Sequence, residues 1–268
     1  MDQSEEWLLK EKYNGEKCEA FFADLKRLTA GEPLGYVIGH APFLNCKIFL
    51  DSHPLIPRPE TEYWVEKAIK EIEKAGKASP RPLRILDLCA GSGAIGVAVA
   101  KAVPSAEVTF VEIDPSHLPT IEKNITQNLS INRKVLGERF VVIESDLFSK
   151  VEGEFDFILT NPPYIDPAID RTEENVKNFE PHLALYGGVN GVELIARLIA
   201  EAPQYLSDNG QLWIEHEPEQ TEMISKLAFD NLGSIQTLPD QYGIERYSIL
   251  NFKPDNLIIG TYPIEPRR

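Results

Sequence analysis

Leu83-Arg84-Ile85-Leu86-Asp87-Leu88, then Cys89-Ala90-Gly91-Ser92-Gly93, then Ala94-Ile95-Gly96-Val97-Ala98-Val99-Ala100, reads as a buried strand, a glycine turn and an apolar helix. The same rhythm continues downstream. Strands are expected at Leu83–Leu88, Val108–Glu112, Phe140–Ile143, Phe155–Thr160 and Gln211–Glu215, with helices at Ala94–Val103, Leu118–Leu129, Val192–Leu206 and Glu219–Asn231. Ile235–Leu238 and Tyr247–Phe252 add two final strands around the Pro239–Gly243 turn. Short apolar strands alternating with helices imply an α/β fold with a mostly parallel sheet covered on both faces. In such sheets ligands lie beyond the carboxyl ends of the strands, near the point where strand order reverses. Chemistry is therefore sought in the loops after Leu88, Val111, Ile143 and Leu159.

Upstream the pattern is different. Trp7, Leu8 and Leu9 mark one short helix, Asn14-Gly15 a break, and Phe21, Phe22, Leu25 and Leu28 a second helix. Phe21, Phe22 and Trp64 stand at spacings that usually mean core packing. Gly31 to Pro59 is dense in glycine and proline, with a hairpin suggested by Phe43-Leu44 and Lys47–Leu50; helical periodicity returns from Glu60 to Ala75. The expected organisation is a helical cap, hairpin and connecting helix over residues 1–76, a sheet domain over 77–252, and a tail over 253–268 without a readable period.

The chain has 268 residues, 43% hydrophobic and 26% charged, a composition that excludes disorder and collagen-like repeats. With 27 Lys+Arg against 42 Asp+Glu the net charge is −15, which disfavours nucleic acid as a partner held by bulk electrostatics. Three cysteines, Cys18, Cys46 and Cys89, have no C-x-x-C spacing, and five histidines have no ligand spacing, so no disulfide framework or metal site is expected. The first residues carry acids where a secretory signal would carry cations, and the longest apolar run, Ala94–Ala100, is too short to span a bilayer. A cytoplasmic chain without a membrane anchor is expected.

Gly91-Ser92-Gly93-Ala94-Ile95-Gly96 matches the G-x-G-x-x-G of dinucleotide-binding turns, and Glu112 ends the next strand where a ribose-binding acid belongs. Asp87 points to a different ligand. A carboxylate just before the turn would crowd a pyrophosphate but would suit an ammonium and a sulfonium, as in S-adenosylmethionine. Glycines at 91 and 93 serve either ligand by letting backbone approach it closely. Glu112 can accept both ribose hydroxyls, each charge-assisted bond being worth roughly 1.5–3 kcal/mol. Asp146, in Glu144-Ser145-Asp146-Leu147-Phe148, can accept an adenine amino group.

The fourth strand runs into Asn161-Pro162-Pro163-Tyr164. Each proline holds the residue before it extended and removes an N–H, leaving a stiff turn rich in acceptors. The Asn161 side-chain oxygen and the Pro162 carbonyl can receive the two hydrogens of one NH2 group, and the Tyr164 ring can cover its flat conjugated face. A planar amide or aryl amine is a poor nucleophile because its lone pair is delocalised. Holding both hydrogens directs that pair toward an activated methyl, which is positioning and preorganised electrostatics.

These residues resemble the HemK/PrmC-type N5-glutamine methyltransferases that modify peptide chain release factors, over about Arg27 to Phe252. The resemblance is carried by Gly31–Gly39, Leu55-Ile56-Pro57-Arg58-Pro59-Glu60-Thr61-Glu62, the Asp87–Gly93 turn, Asn161–Tyr164 and Glu180–Gly188. It implies a class I (Rossmann-like) S-adenosylmethionine-dependent methyltransferase with a seven-stranded, mostly parallel sheet, preceded by a small helical segment and hairpin. Its substrate would be the Gln of the Gly-Gly-Gln tripeptide of a release factor, and S-adenosyl-L-homocysteine its product. By motif position, the resemblance gives Cys89, Ala90, Gly91, Ser92, Gly93, Glu112 and Leu147 to the cofactor, with Asn161 where cofactor and substrate meet. Asn161, Pro162, Pro163 and Tyr164 would hold the Gln amide, and Glu180 would stand on the substrate side. Arg58 and Glu60 either clamp the substrate loop or form a surface ion pair worth under about 1 kcal/mol. A monomer is expected.

Three other readings use the same residues. A ribosomal-protein glutamine would fit the same pocket. An N6-adenine or guanine N2 methyltransferase would apply the tetrad to a base removed from its stack, but should carry basic clusters beyond Lys26-Arg27 and Arg267-Arg268. A non-catalytic adaptor would not need an intact tetrad.

Overall fold

The computed structural model describes residues 3–131, 136–231 and 233–252; the expected 253–268 tail lies outside them. Three helices open the chain, α1 (Gln3–Tyr13), α2 (Glu19–Thr29) and α3 (Leu34–Ile38), followed by the hairpin β1 (His40–Phe43) and β2 (Cys46–Phe49) and the long α4 (Pro59–Ala78). The sheet strands and their helices are β3 (Arg84–Leu88), α5 (Ala94–Ala102), β4 (Glu107–Glu112), α6 (Leu118–Leu129), β5 (Phe140–Glu144) and β6 (Phe155–Thr160). After α7 (Glu174–Phe179) and α8 (Glu193–Glu201) come β7 (Leu206–Glu215), α9 (Thr221–Asp230), β8 (Gly233–Pro239) and β9 (Glu245–Phe252).

The seven strands lie in the order β5-β4-β3-β6-β7-β9-β8. Strands β3 to β7 pair in parallel, while β9 runs antiparallel to both β7 and β8. The period of two along β3 divides the molecule: Ile85 joins a core with α4, α5, α6 and the hairpin, whereas Leu86 and Leu88 join a core with α8 and α9. On the first face Trp64 of α4 stacks 6.5 Å from Trp213 of β7 and 6.3 Å from Tyr247 of β9. Hairpin residues Phe43 and Ile48 enter this same core. Leu8, Phe21 and Val37 form a separate small cluster among the first three helices.

Some expectations change. Leu206 belongs to a strand and not to the helix before it, because Pro203 turns the chain through a 3-10 segment at Ala202–Gln204. Phe22, expected in the core, is 50% exposed. Helix α3 occupies part of the stretch read as turns, closed by Gly39 at φ +93°. Helix α7 was not expected and buries no residue, so no apolar stripe marks it. No helix among the described residues is long and apolar enough to cross a membrane.

Candidate active site

Strand order reverses between β3 and β6, and the loops at their carboxyl ends meet across that gap. The turn after β3 is fastened to β4. Ala90 N–H donates to the Val111 carbonyl at 2.9 Å, and Gly91 N–H to Glu112 Oε2 at 2.7 Å. Glu112 Oε1 accepts from Asp114 N–H at 2.9 Å, so a nearly buried carboxylate is locked in place at the strand end. A carboxylate offers about four acceptor positions, and two remain.

In front of this turn lies a cavity of about 400 Å³ whose wall includes Cys89, Gly91, Glu112, Asp146, Leu147 and Asn161. Gly91 has φ +55°, and a Cβ there would meet nothing within 4 Å, so backbone faces open space. Cys89 holds a left-handed φ of +60°, which costs a non-glycine residue roughly 1–2 kcal/mol. Burial and then the Glu112 charge push its thiol up to about 12, so it remains protonated at neutral pH and is no nucleophile. Asp146 is half-exposed and meets Arg197 of α8 at 3.2 Å through both oxygens. An exposed pair of this kind is worth under about 1 kcal/mol, so a ligand amino group can compete for the carboxylate.

Asn161 also lines a second, wider cavity of about 950 Å³, together with Arg58, Glu60, Tyr164, Asp166 and Arg171. Leu55, Asn161 and Ala184 belong to both walls, so the two cavities adjoin at the tetrad. The corner is braced from the far side. Ile165 N–H donates to the Leu185 carbonyl at 2.9 Å and Gly187 N–H to the Ile165 carbonyl at 3.0 Å, while Gln220 Nε2 donates to the Tyr164 carbonyl at 2.7 Å. A Cβ on Gly187 would lie 2.5 Å from the Pro163 carbonyl, and one on Gly191 1.9 Å from that of Tyr164. Glycine alone permits this approach. Behind the corner, buried Glu215 accepts from Thr61 Oγ1 at 2.7 Å, Trp64 Nε1 at 2.7 Å and Tyr164 Oη at 3.1 Å. Asn161 Nδ2 in turn donates to Thr61 Oγ1 at 3.2 Å.

Several expected contacts lie elsewhere. Asp87 shares the face of Ile85 and stands behind the turn, fully buried and off both cavity walls, where its Oδ2 accepts from Gly96 N–H at 2.8 Å. Its role facing a ligand cation is thus replaced here by fastening α5. Burial pushes its carboxyl up to about 8, the Gly96 bond opposing and the Glu112 charge reinforcing that rise. Its Oδ1 is buried without a hydrogen-bond partner among the described residues. Ala90, Ser92 and Gly93 lie off the walls as well; Ser92 and Gly93 turn toward α6, where Asn124 Nδ2 donates to the Ser92 carbonyl at 2.9 Å. Pro162 is buried and on neither wall, while Pro163 lines the first cavity.

Arg58 does not pair with Glu60. Its guanidinium donates to Glu180 Oε1 at 2.5 Å, and Glu180 Oε2 accepts from Ile56 N–H at 3.0 Å. Glu180, only 4% exposed, is off both walls: it ties the Leu55–Glu62 stretch to the Glu180–Gly188 stretch instead of facing a substrate. Sequence reading missed Arg197 and His117 on the wall of the first cavity, and Thr61 and Glu215 behind the corner. One usable signal existed: a buried indole N–H such as that of Trp64 needs an acceptor.

A reversal in strand order, an acid-ended second strand and an Asn-Pro-Pro-Tyr corner at the junction of two cavities define a class I methyltransferase. Residues 72–179 match the Methyltransferase small domain family. The release factor glutamine methyltransferase of Rhodopirellula baltica is 39% identical over 237 residues, covering 86% of this chain and 77% of that protein. That of Streptococcus pneumoniae is 33% identical over 249 residues, covering 91% and 84%. The crystal structure of a methyltransferase from Pyrococcus furiosus superposes with a TM-score of 0.55 at 20% identity, covering 86% of this chain and 98% of that one, and so shares the fold. The chain belongs to the release factor glutamine methyltransferase family.

Proposed function

We propose that this chain transfers a methyl group from S-adenosylmethionine to the side-chain nitrogen of a protein glutamine, that of the Gly-Gly-Gln tripeptide of a peptide chain release factor. One observation carries the reading: Asn161 stands on the shared wall of both cavities, so one ligand in the smaller and another in the larger would meet at its side chain. The smaller cavity suits the cofactor. A volume of about 400 Å³ falls in the range of small-molecule sites, and Gly91 leaves room for close backbone contact. Glu112 would take the ribose hydroxyls with its two remaining acceptor positions, and Asp146 the adenine amino group. When bound, S-adenosylmethionine supplies an electrophilic methyl carbon on a positively charged sulfur.

The chain's own residues do the rest. Asn161 Oδ1 would accept one amide hydrogen of the target Gln, and the carbonyl of Pro162, which lines neither wall and would have to be reached beside Asn161, the other, holding the nitrogen in one orientation. Both acceptors are neutral, so they do not need to titrate before transfer, and the nitrogen sheds its proton only after it has been alkylated. Tyr164, held through its hydroxyl by Glu215, lines the wider cavity beside Asn161, where its ring would cover the flat face of the amide. The test is methyl transfer from labelled S-adenosylmethionine to purified release factor, ribosomal protein and DNA in parallel, with the labelled residue located by mass spectrometry. N5-methylglutamine in the release factor is expected; label confined to ribosomal protein or DNA would overturn the substrate assignment.

A further inference from the structure

We propose that Glu215 is a positioning residue for methyl transfer: through Thr61 it fixes which way round the Asn161 amide lies. The inference rests on the reading of Asn161 as acceptor of the substrate amide.

The number of donors at each atom fixes the direction of the chain. Glu215 closes β7 at 1% exposure, and as an ionised carboxylate it has acceptors only. Thr61 has a single hydroxyl proton, and at 2.7 Å from Glu215 Oε2 that proton is committed to the carboxylate. Toward any other neighbour Thr61 Oγ1 is therefore an acceptor. The neighbour is the Asn161 amide at 3.2 Å, whose oxygen would meet Thr61 lone pair to lone pair, whereas its NH2 finds an acceptor. The chain of donors runs one way, from Asn161 through Thr61 to Glu215. Amide orientation is ordinarily a choice made from the surrounding network, and here the network leaves one choice. With Nδ2 drawn to Thr61, Oδ1 becomes the atom offered to a substrate NH2. The opposite orientation would present donors to donors and could not hold a glutamine.

Two features stiffen the arrangement. Thr61 and Trp64 sit three positions apart on α4, hence on one helix face, and both donate to the same Glu215 oxygen. The second oxygen takes the Tyr164 hydroxyl, so one carboxylate holds both polar residues of the tetrad. Burial pushes the Glu215 carboxyl up, and the bonds from Trp64, Thr61 and Tyr164 oppose that rise.

Glu215→Met tests the direction of the chain, since it takes away the acceptor and frees the Thr61 proton to turn toward Asn161, whereas Glu215→Gln keeps the chain, because Trp64 Nε1 can only donate and draws the Gln oxygen to the side of Thr61. Thr61→Val removes the link at nearly constant shape, and Thr61→Ser restores it. The expected result is a fall in kcat of tenfold or more for Glu215→Met and Thr61→Val with cofactor Kd by calorimetry close to the parent, a near-parent thermal midpoint for Thr61→Val, and near-parent kcat for Glu215→Gln and Thr61→Ser. The double variant should be no slower than the slower single one, because both break one chain. Asn161→Ala separates the two ideas. If it turns over normally, the acceptor role of Asn161 fails; if it is slow while Thr61→Val and Glu215→Met keep parent kcat, only the positioning role of Glu215 is overturned. Loss in Thr61→Ser equal to that in Thr61→Val would also overturn it, by showing that the hydroxyl is not what matters.

Discussion

Asn161 and Glu112 divide the work of the site between them, and their variants should fail differently. Asn161→Ala removes one hydrogen bond formed as the amide reacts, so turnover should fall by roughly two orders of magnitude while cofactor affinity in calorimetry stays close to the parent. Parent-like turnover would remove Asn161 from the reaction. Glu112→Ala takes away the acceptors proposed for the ribose and the clasp on Gly91, so cofactor affinity should fall tenfold or more. Unchanged affinity would move the ribose contact elsewhere on the wall, with Asp114 the nearest acid. Asp87 bears on stability instead. Its folded pKa of about 8 stands above an unfolded value of about 3.9, so between those limits the folded state binds more protons and stability falls as pH rises. Asp87→Asn abolishes that slope but leaves an amide NH2 where Oδ1 has no partner. Denaturant unfolding of the cofactor-free protein should show the variant less stable than the parent at pH 5 and the gap narrowing by pH 8.5; parallel curves would mean Asp87 does not titrate in this window.

Elements meet at the corner through backbone, and that is why its bracing was harder to read than its chemistry. The strands and helices of the sheet were legible because each buries an apolar face whose period of 2 or about 3.6 is written in consecutive residues. That Asn161 and Glu112 would line a cavity was legible because they stand at strand ends, where such sheets bind ligands. Helices α3 and α7 were not, being five and six residues long with too few turns to show a period. The Thr61–Glu215 link spans 154 positions and Asn161–Thr61 spans 100, distances over which no local pattern carries information. Gly187 entered the sequence reading only within the Glu180–Gly188 stretch and Gly191 not at all, whereas their use is to let the Val189–Gly191 segment touch the carbonyls of the corner. Gly191→Ala combines a strained φ of +68° with a Cβ 1.9 Å from the Tyr164 carbonyl, so the corner must shift. Such overpacking typically costs about 1–3 kcal/mol. A lower thermal midpoint and a loss of turnover exceeding any loss of cofactor affinity are expected, since Tyr164, whose carbonyl must move, lines the second cavity and not the first. Equal losses in both would show that the segment supports the cofactor side as well.

Across the whole molecule the hairpin, α4 and Tyr36 of α3 share the core of the sheet, while α1 and α2 have the small cluster that Leu8 and Phe21 form with Val37. Their junction is polar. Asp24, 8% exposed, accepts from Lys12 Nζ at 2.6 Å, Tyr13 Oη at 2.6 Å and Arg27 Nη1 at 2.8 Å, and Lys12 reaches the Val37 carbonyl at 2.7 Å. Burial would raise the Asp24 carboxyl, yet the bonds from Lys12, Tyr13 and Arg27 hold it below its ordinary value. A depressed pKa stabilises the folded form above the unfolded value of about 3.9 and loses that stabilisation as pH falls through the folded one. Less apolar burial and dependence on one ionised group make α1 and α2 the first elements to open, ahead of α4 and the sheet. In native-state hydrogen exchange, amides of α1 and α2 should exchange by local opening while those of β3, β6 and α4 exchange only with global unfolding. Asp24→Asn should speed the first set and leave the second unchanged, and bringing the parent below about pH 4 should act in the same direction once intrinsic exchange rates are corrected for. A uniform change over all these elements would instead mean that the helices at the start of the chain open only with the sheet, and that the polar junction transmits more stability than its small apolar cluster suggests.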